Sequence, residues 1–304
     1  MSETDTAVMS ESKRTGWREY YEMCKPKVVA LLILTSVVGS VLAFPAWAIE
    51  WDVLIIANLA IGLAAASGAA VNQLVEYKSD AKMRRTEGRP LPTGRLNIKN
   101  AFVFALVLAV LSMAILVLYI NVLTAVLTFA SLIGYAVIYT MYLKRATPQN
   151  IVIGGLAGAT PPLLGWTAVT NSVDPYGLLL VLIIFTWTPP HFWALAIHRR
   201  DDYAKVAIPM LPVTHGIQYT KLAIVAYTIL MVIVTLLPYL AYFAGAIYLV
   251  AAVLLGGFFM YKSLELFFTE RENAAIQTFV YSINYLMLLF VALVADHYWP
   301  IDFF

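Results

Sequence analysis

VLIIANLAIGLAAASGAAVNQLVEYKSDAKMRRTEGRPLPTGR, residues 53–95, decides how the chain is read. Its first half is apolar over roughly the 20 residues that a helix needs to cross about 30 Å of hydrocarbon. Its second half reverses character: residues 72–95 hold three acidic and six basic side chains in a protein that is 12% charged. That switch predicts a membrane span running out into a charged loop. Asn72, Glu76 and Asp80 recur at every fourth position, so on a helix they share one face with about 40° of drift per step. Oxygen ligands aligned in this way suit a hard divalent cation such as Mg²⁺, which takes one or two carboxylates and leaves positions open for substrate phosphate. Lys82, Arg84, Arg85 and Arg89 follow at once, and these residue types neutralise phosphate oxygens.

The whole chain repeats the first half of this stretch. It has 304 residues, 61% of them hydrophobic, with a mean hydropathy of +0.79. That composition defines a multi-pass, all-α membrane protein. One cysteine, Cys24, excludes an internal disulfide and any cysteine-based metal cluster. Glu3, Asp5, Glu11, Glu19 and Glu22 near the start argue against a secretory signal or an acid-poor transit peptide. Nucleic acid is not an expected partner.

Nine segments are long and apolar enough to span: 28–48, 53–75, 101–120, 122–142, 151–169, 176–197, 222–243, 246–266 and 278–297. Residues 17–27 before them suggest a short interfacial helix carrying Trp17, Tyr20 and Tyr21, and Pro26 opens the first span. The expected division is a polar tail (1–27), one transmembrane domain (28–297) and a short tail (298–304). All 20 Lys and Arg fall in the N-terminal tail or at the connections after the second, fourth, sixth and eighth spans. The other connections and the C-terminus carry only acids, such as Glu50, Asp52, Asp174 and Asp302. The positive-inside rule then predicts a bacterial cytoplasmic (inner) membrane protein with its N-terminus cytoplasmic and its C-terminus outside. The interior of the spans is read as free of charge, which speaks against an ion-coupled transporter, because such a protein keeps an ionisable group at depth.

A second loop echoes the first. Residues 80–94 run from Asp80 through Pro90 and Pro92 to Gly94, and residues 202–216 run from Asp202 through Pro209 and Pro212 to Gly216. Spans one to four and five to eight are therefore candidates for related units. The second loop brings Asp201, Asp202 and Lys205 to the same face as the first, where two acidic clusters facing each other would hold two Mg²⁺ ions around one diphosphate. His191 stands about two turns inside the sixth span, a functional candidate suited to a metal-porphyrin or a polar substrate edge. Pro189 and Pro190 just before it are expected to break the helix. Gly154, Gly155, Gly158 and Gly165 are expected to allow close helix packing.

NQLVEYKSDAKMRRTEGRPLP resembles the N-x-x-x-D/E-x-x-x-D signature of the intramembrane UbiA-type prenyltransferases. LKRATPQNIVIGGLAGATPPLLGW from Leu143, WTPPHFWALA from Trp187, DDYAKVAIPMLPV from Asp201 and the Lys25-Pro26-Lys27 stretch resemble the members of that family that act on haem. The resemblance implies a nine-helix UbiA-like bundle transferring a farnesyl group from farnesyl diphosphate to a vinyl group of haem b, with Mg²⁺ as cofactor. It implies Glu76, Asp80 and Asp202 as catalytic residues, and Asn72 with these three as metal ligands. Lys82, Arg85, Arg89, Lys144, Arg145 and Lys205 would hold the diphosphate, and His191 is the candidate for haem. A haem A synthase or terminal oxidase would receive the product. The sequence departs from the wider family in two places: Glu76 stands where many members have Asp, and His198 occupies the position four before Asp202, so the second D-x-x-x-D is missing. Rival readings are a UbiA-type enzyme with another aromatic or tetrapyrrole acceptor, a transporter, and a non-catalytic oxidase assembly factor.

Overall fold

The computed structural model describes residues 16–83, 85–271 and 273–301. Among the sequence expectations, Lys13, Arg14, Arg84, Asp302 and the first three acids lie outside these residues. The described chain is helical throughout, without strands. In order it forms α1 (Trp17–Met23), α2 (Pro26–Ala43), α3 (Trp51–Asp80), α4 (Ile98–Ile115) with a π-helical end (Leu116–Ile120), and α5 (Val122–Ile133). A longer π segment (Gly134–Leu143) and the short α6 (Lys144–Ala146) complete that span. There follow α7 (Asn150–Ala159), α8 (Pro161–Thr170), α9 (Pro175–His198), α10 (Arg200–Lys205), α11 (Leu211–Thr214), α12 (Gly216–Leu240), α13 (Ala246–Phe268) and α14 (Ala274–Tyr298).

Nine stretches among the described residues are long and apolar enough to cross a membrane, and they coincide with the nine expected spans. The helices sort by how closely their backbones approach. Against α8, α2 packs without side chains between: a Cβ on Gly39 would lie 2.0 Å from the Pro162 carbonyl oxygen, and one on Gly165 would lie 1.9 Å from that of Ser36. Small residues give such contacts in a bilayer, where packing and hydrogen bonds hold helices together. Ser40 Oγ donates to the Gly165 carbonyl at 3.1 Å and accepts from Asn58 Nδ2 at 3.1 Å, tying α2, α3 and α8 together. Gly154 and Gly155 likewise face Tyr139 and Thr188 closely, whereas Gly158 faces open space. On the other side of the bundle, α9, α12, α13 and α14 enclose a core of large side chains that includes Leu180, Trp187, Met231, Tyr248, Phe259 and Tyr285.

Three expectations change. The fifth span is two helices, α7 and α8, because Pro161 and Pro162 restart the chain after Thr160. The sixth is one unbroken helix: α9 carries Pro189 and Pro190 in its interior, and packing against α12 and α14 holds it together. Charge is also not absent from the spans as bounded above, since Lys262, Glu265 and Asp296 lie within them near their ends. Buried Asp296 accepts from the Gly245 and Tyr248 amides, so it caps the first turn of α13. At the other end of α13, buried Lys221 donates to the Thr269 carbonyl at 2.6 Å, a favourable place for a cation.

The echo between the two loops has a backbone counterpart. Gly94 (φ 69) and Gly216 (φ 83) are the glycines at positive φ among the described residues. Each closes one of the two proline turns, and a left-handed residue there costs glycine little.

Candidate active site

The end of α3 carries the acids of the first motif as one buried face. Asn72, Glu76 and Asp80 are 3%, 8% and 1% exposed, and Gln73 beside them is 2% exposed. Buried acids must be paired, and each member of this ladder has its own cation. Lys25 Nζ donates to Asn72 Oδ1, Lys144 Nζ donates to Glu76 Oε1, and Arg89 Nη1 donates to Asp80 Oδ2 at 2.6 Å. Removing one partner from such a buried pair costs about 3–5 kcal/mol, because the other charge is left uncompensated.

The geometry of these three pairs depends on distant pieces of chain. Arg89 belongs to the loop after α3, which the Thr86 hydroxyl pins by donating to the Asp80 carbonyl at 2.9 Å. Lys144 follows the π segment Gly134–Leu143, and that wider winding, frequent at functional sites, brings its ammonium to Glu76. The same segment supplies Thr140, whose hydroxyl accepts from Asn72 Nδ2 at 3.3 Å and donates to the Tyr135 carbonyl at 2.8 Å. Lys25 reaches in from just before α2 with φ 50 and ψ 60. A left-handed conformation costs a residue with a Cβ about 1–2 kcal/mol, and strain of this kind gathers at ligand sites. Burial pushes the Lys25 ammonium down to about 7, with Arg89 and Lys144 acting in the same direction and Glu76 and Asp80 opposing.

The second loop contributes differently. Asp202 is partly exposed and meets Lys205 at 4.0 Å, and Asp201 is exposed. The residue turned toward the first loop is Tyr203: burial raises its phenol, which also feels Arg85, Arg199, Glu76 and Asp202. Arg85 in turn is lowered chiefly by burial and lies within range of Tyr203, Arg89, Arg199 and Asp80. Arg145 Nη2 donates to Ser79 Oγ at 2.7 Å on the rim, and Lys82 is exposed. The structure thus groups Asn72, Glu76, Asp80, Arg89 and Lys144 with Lys25, keeps the exposed Lys82, Arg85, Arg145 and Lys205 at the edge, with Arg85 in electrostatic range of Asp80, and leaves Asp202 outside the buried group. Sequence reasoning missed Lys25, Thr140, Tyr203 and Arg199. Lys25 was visible only within the Lys25-Pro26-Lys27 stretch and as one of the basic residues that topology already explained, and the other three had no spacing to mark them.

His191 lies deeper and is fully packed. Its ring stacks between Trp187 (centroids 4.1 Å apart) and Phe279 (4.6 Å), and its Nδ1 shares a 2.6 Å hydrogen bond with Ser282 Oγ. Trp187 Nε1 donates to the Ser282 carbonyl at 2.8 Å, so both rings fasten α9 to α14.

A divalent cation fits the α3 ladder. Its donors are all oxygen, and Asp80 Oδ1 is buried with no hydrogen-bond partner, a lone pair waiting for an electrophile. Among the described residues no three His, Cys, Asp or Glu stand close enough to hold a metal by themselves. Two carboxylates, an amide oxygen and a ring of basic side chains match a metal whose shell is completed by phosphate oxygens.

The chain belongs to the UbiA prenyltransferase family, whose model matches residues 32–294. Its fold is similar to that of a digeranylgeranylglyceryl phosphate synthase, with a TM-score of 0.77 at 17% identity over 93% of this chain and 98% of that one. It is also similar to a UbiA homologue from Archaeoglobus fulgidus bound to GPP and Mg²⁺, with a TM-score of 0.59 at 14% identity over 90% of this chain and 99% of the other. Within the family the chain is similar to the protoheme IX farnesyltransferases. That of Hahella chejuensis is 59% identical over 96% of this chain and 97% of its own length. Protoheme IX farnesyltransferase 2 of Pseudoalteromonas atlantica is 56% identical over 94% of each. The chain is thus an intramembrane transferase.

Proposed function

We propose that this protein transfers the farnesyl group of farnesyl diphosphate to a vinyl group of haem b, giving haem O. The observation that carries the chemistry is the buried oxygen face of Asn72, Glu76 and Asp80, with Asp80 Oδ1 unpaired and cations on three sides. Near-full-length likeness to protoheme IX farnesyltransferases supplies the acceptor.

In this reading Glu76, Asp80 and the Asn72 amide oxygen hold Mg²⁺, which supplies Lewis-acid stabilisation of the departing diphosphate. Arg85, Arg89 and Lys144 take up the diphosphate oxygens, with Lys82, Arg145 and Lys205 guiding it at the rim. Asp202 assists from the second loop at the edge of the mouth. The C1–O bond of the donor breaks, and its electron pair leaves with the diphosphate. The resulting allylic cation is attacked by the terminal carbon of the haem vinyl group, forming the new C–C bond. Water then adds to the neighbouring carbon and loses a proton, leaving a hydroxyethylfarnesyl substituent. Preorganised cations around the diphosphate supply most of the rate enhancement, because they need no rearrangement as charge develops. No covalent enzyme intermediate is required. His191, in its aromatic stack, sits on the apolar side as the candidate contact for the tetrapyrrole.

One transmembrane unit, 28–297, performs the reaction, with residues 1–27 as its polar tail and 298–304 beyond the last span. The basic residues orient it in a bacterial inner membrane with the site on the cytoplasmic side and the C-terminus outside. A haem A synthase or a terminal oxidase then takes the product. Purified protein incubated with farnesyl diphosphate, Mg²⁺ and haem b tests the reading: a farnesylated, hydrated haem is expected by mass spectrometry. Prenylation of a different acceptor with haem untouched would replace haem b, and no transfer without added metal but none with it either would remove the activity altogether.

A further inference from the structure

The three oxygen donors of the α3 ladder are matched one to one with cations from three separate parts of the chain. Lys25 comes from the turn before α2, Lys144 from the end of the π segment, and Arg89 from the loop after α3. Two carboxylates against three cations make the cluster net positive even before nearby Arg85 is counted. A bare divalent cation entering there finds Asp80 Oδ1 free but works against the fixed positive charges held on Asn72 Oδ1, Glu76 Oε1 and Asp80 Oδ2. A diphosphate changes that balance. Its own negative charge pairs with the lysines and the arginine, and the α3 oxygens are then released to the metal.

We propose that Lys25, Lys144 and Arg89 couple the two ligands, so that metal and diphosphate each bind well only in the presence of the other. Lys25 is the member that lies outside the N-x-x-x-D/E-x-x-x-D signature and the loop that follows it. Its left-handed backbone, directly before Pro26, holds the ammonium against Asn72 from outside the ladder. Asn72 is fixed from its other end by Thr140, so the Lys25 ammonium sits on the one oxygen Asn72 can offer a metal and its charge opposes the metal there. The proposal rests on the metal and diphosphate reading above and adds to it a dependence of each ligand on the other. Coupling of this kind is reciprocal by thermodynamic linkage.

Equilibrium dialysis of the purified full chain against Mn²⁺, with and without inorganic diphosphate, reads the coupling directly. The apparent Mn²⁺ affinity is expected to rise about 5- to 150-fold when diphosphate is present, and the diphosphate affinity to rise by the same factor with Mn²⁺. Lys25→Met, similar in length but uncharged, should tighten Mn²⁺ binding without diphosphate and shrink the gain from adding it, while Lys25→Arg should keep the gain. Lys144→Met makes the same test at Glu76 and serves if the first variant does not fold. Equal Mn²⁺ binding with and without diphosphate overturns the coupling while leaving the metal site in place. No Mn²⁺ binding under either condition overturns the metal reading and the coupling with it.

Discussion

The loops after α3 and α9 follow one backbone plan and use it for different ends. Each carries an acid, passes two prolines and closes on a glycine at positive φ, Gly94 in the first and Gly216 in the second, although the second is built from the short helices α10 and α11. In the first loop the acid is deep: Asp80 is 1% exposed, bonded to Arg89, with one carboxylate oxygen unpaired. In the second, Asp202 is partly exposed and has only a 4.0 Å contact with Lys205, while Tyr203 and Arg199 lie toward Arg85. The difference lies in what covers each acid. Asp80 ends a 30-residue helix inside the bundle, whereas Asp202 sits in the first turn of the short α10. A repeated turn is therefore followed by two different settings, one acid buried and paired and the other near the surface.

The comparison breaks most plainly at the two acids. Asp80→Asn is expected to lower kcat for farnesyl transfer by roughly 10²- to 10³-fold, with the helical circular dichroism unchanged. Asp202→Asn is expected to lose about tenfold or less. Equal losses in the two variants would show that exposure does not separate their roles. Next in size is the shared turn. Gly94→Ala and Gly216→Ala should each cost about 1–2 kcal/mol, the price of a Cβ in the left-handed region, seen as matching losses of thermal stability in detergent. A loss at one glycine only would mean that the two turns are alike by sequence and not by strain. A smaller effect is expected from Tyr203→Phe, which removes one hydroxyl from the mouth: KM for farnesyl diphosphate should rise about 2- to 12-fold, as for one hydrogen bond, with haem KM unmoved. Smallest is Lys205→Ala, where a solvent-exposed pair contributes about 0–1 kcal/mol: thermal stability and kcat should hold, with only a slight rise in KM for farnesyl diphosphate.

Much of the fold was legible because a bilayer imposes a simple rule: a span must be long, apolar and helical. The nine segments read from the sequence match the nine found among the described residues, and the spacing of Asn72, Glu76 and Asp80 gave a single helical face. Where the reading failed, contacts between distant residues decided. Pro189 and Pro190 look like helix breakers, yet α9 continues through them because neighbouring helices support it. Pro161 and Pro162, which drew no comment, are where a span divides. His191 offered two roles by sequence, and its stack on Phe279 and its bond to Ser282 are made by residues about 90 positions away.

Residue order by itself determined the class of protein, the number of spans, the face on which the acids lie and the side on which the bases collect, since each follows from local periodicity or from the cost of charge in hydrocarbon. Tertiary structure alone decided which base meets which acid. Lys25, Lys144 and Arg89 stand 47, 68 and 9 residues from Asn72, Glu76 and Asp80, and only the packing of α2, the π segment and the first loop around α3 brings them to hydrogen-bond distance. Sequence spacing carries no record of such pairings, because Coulomb attraction depends on separation in space and not along the chain.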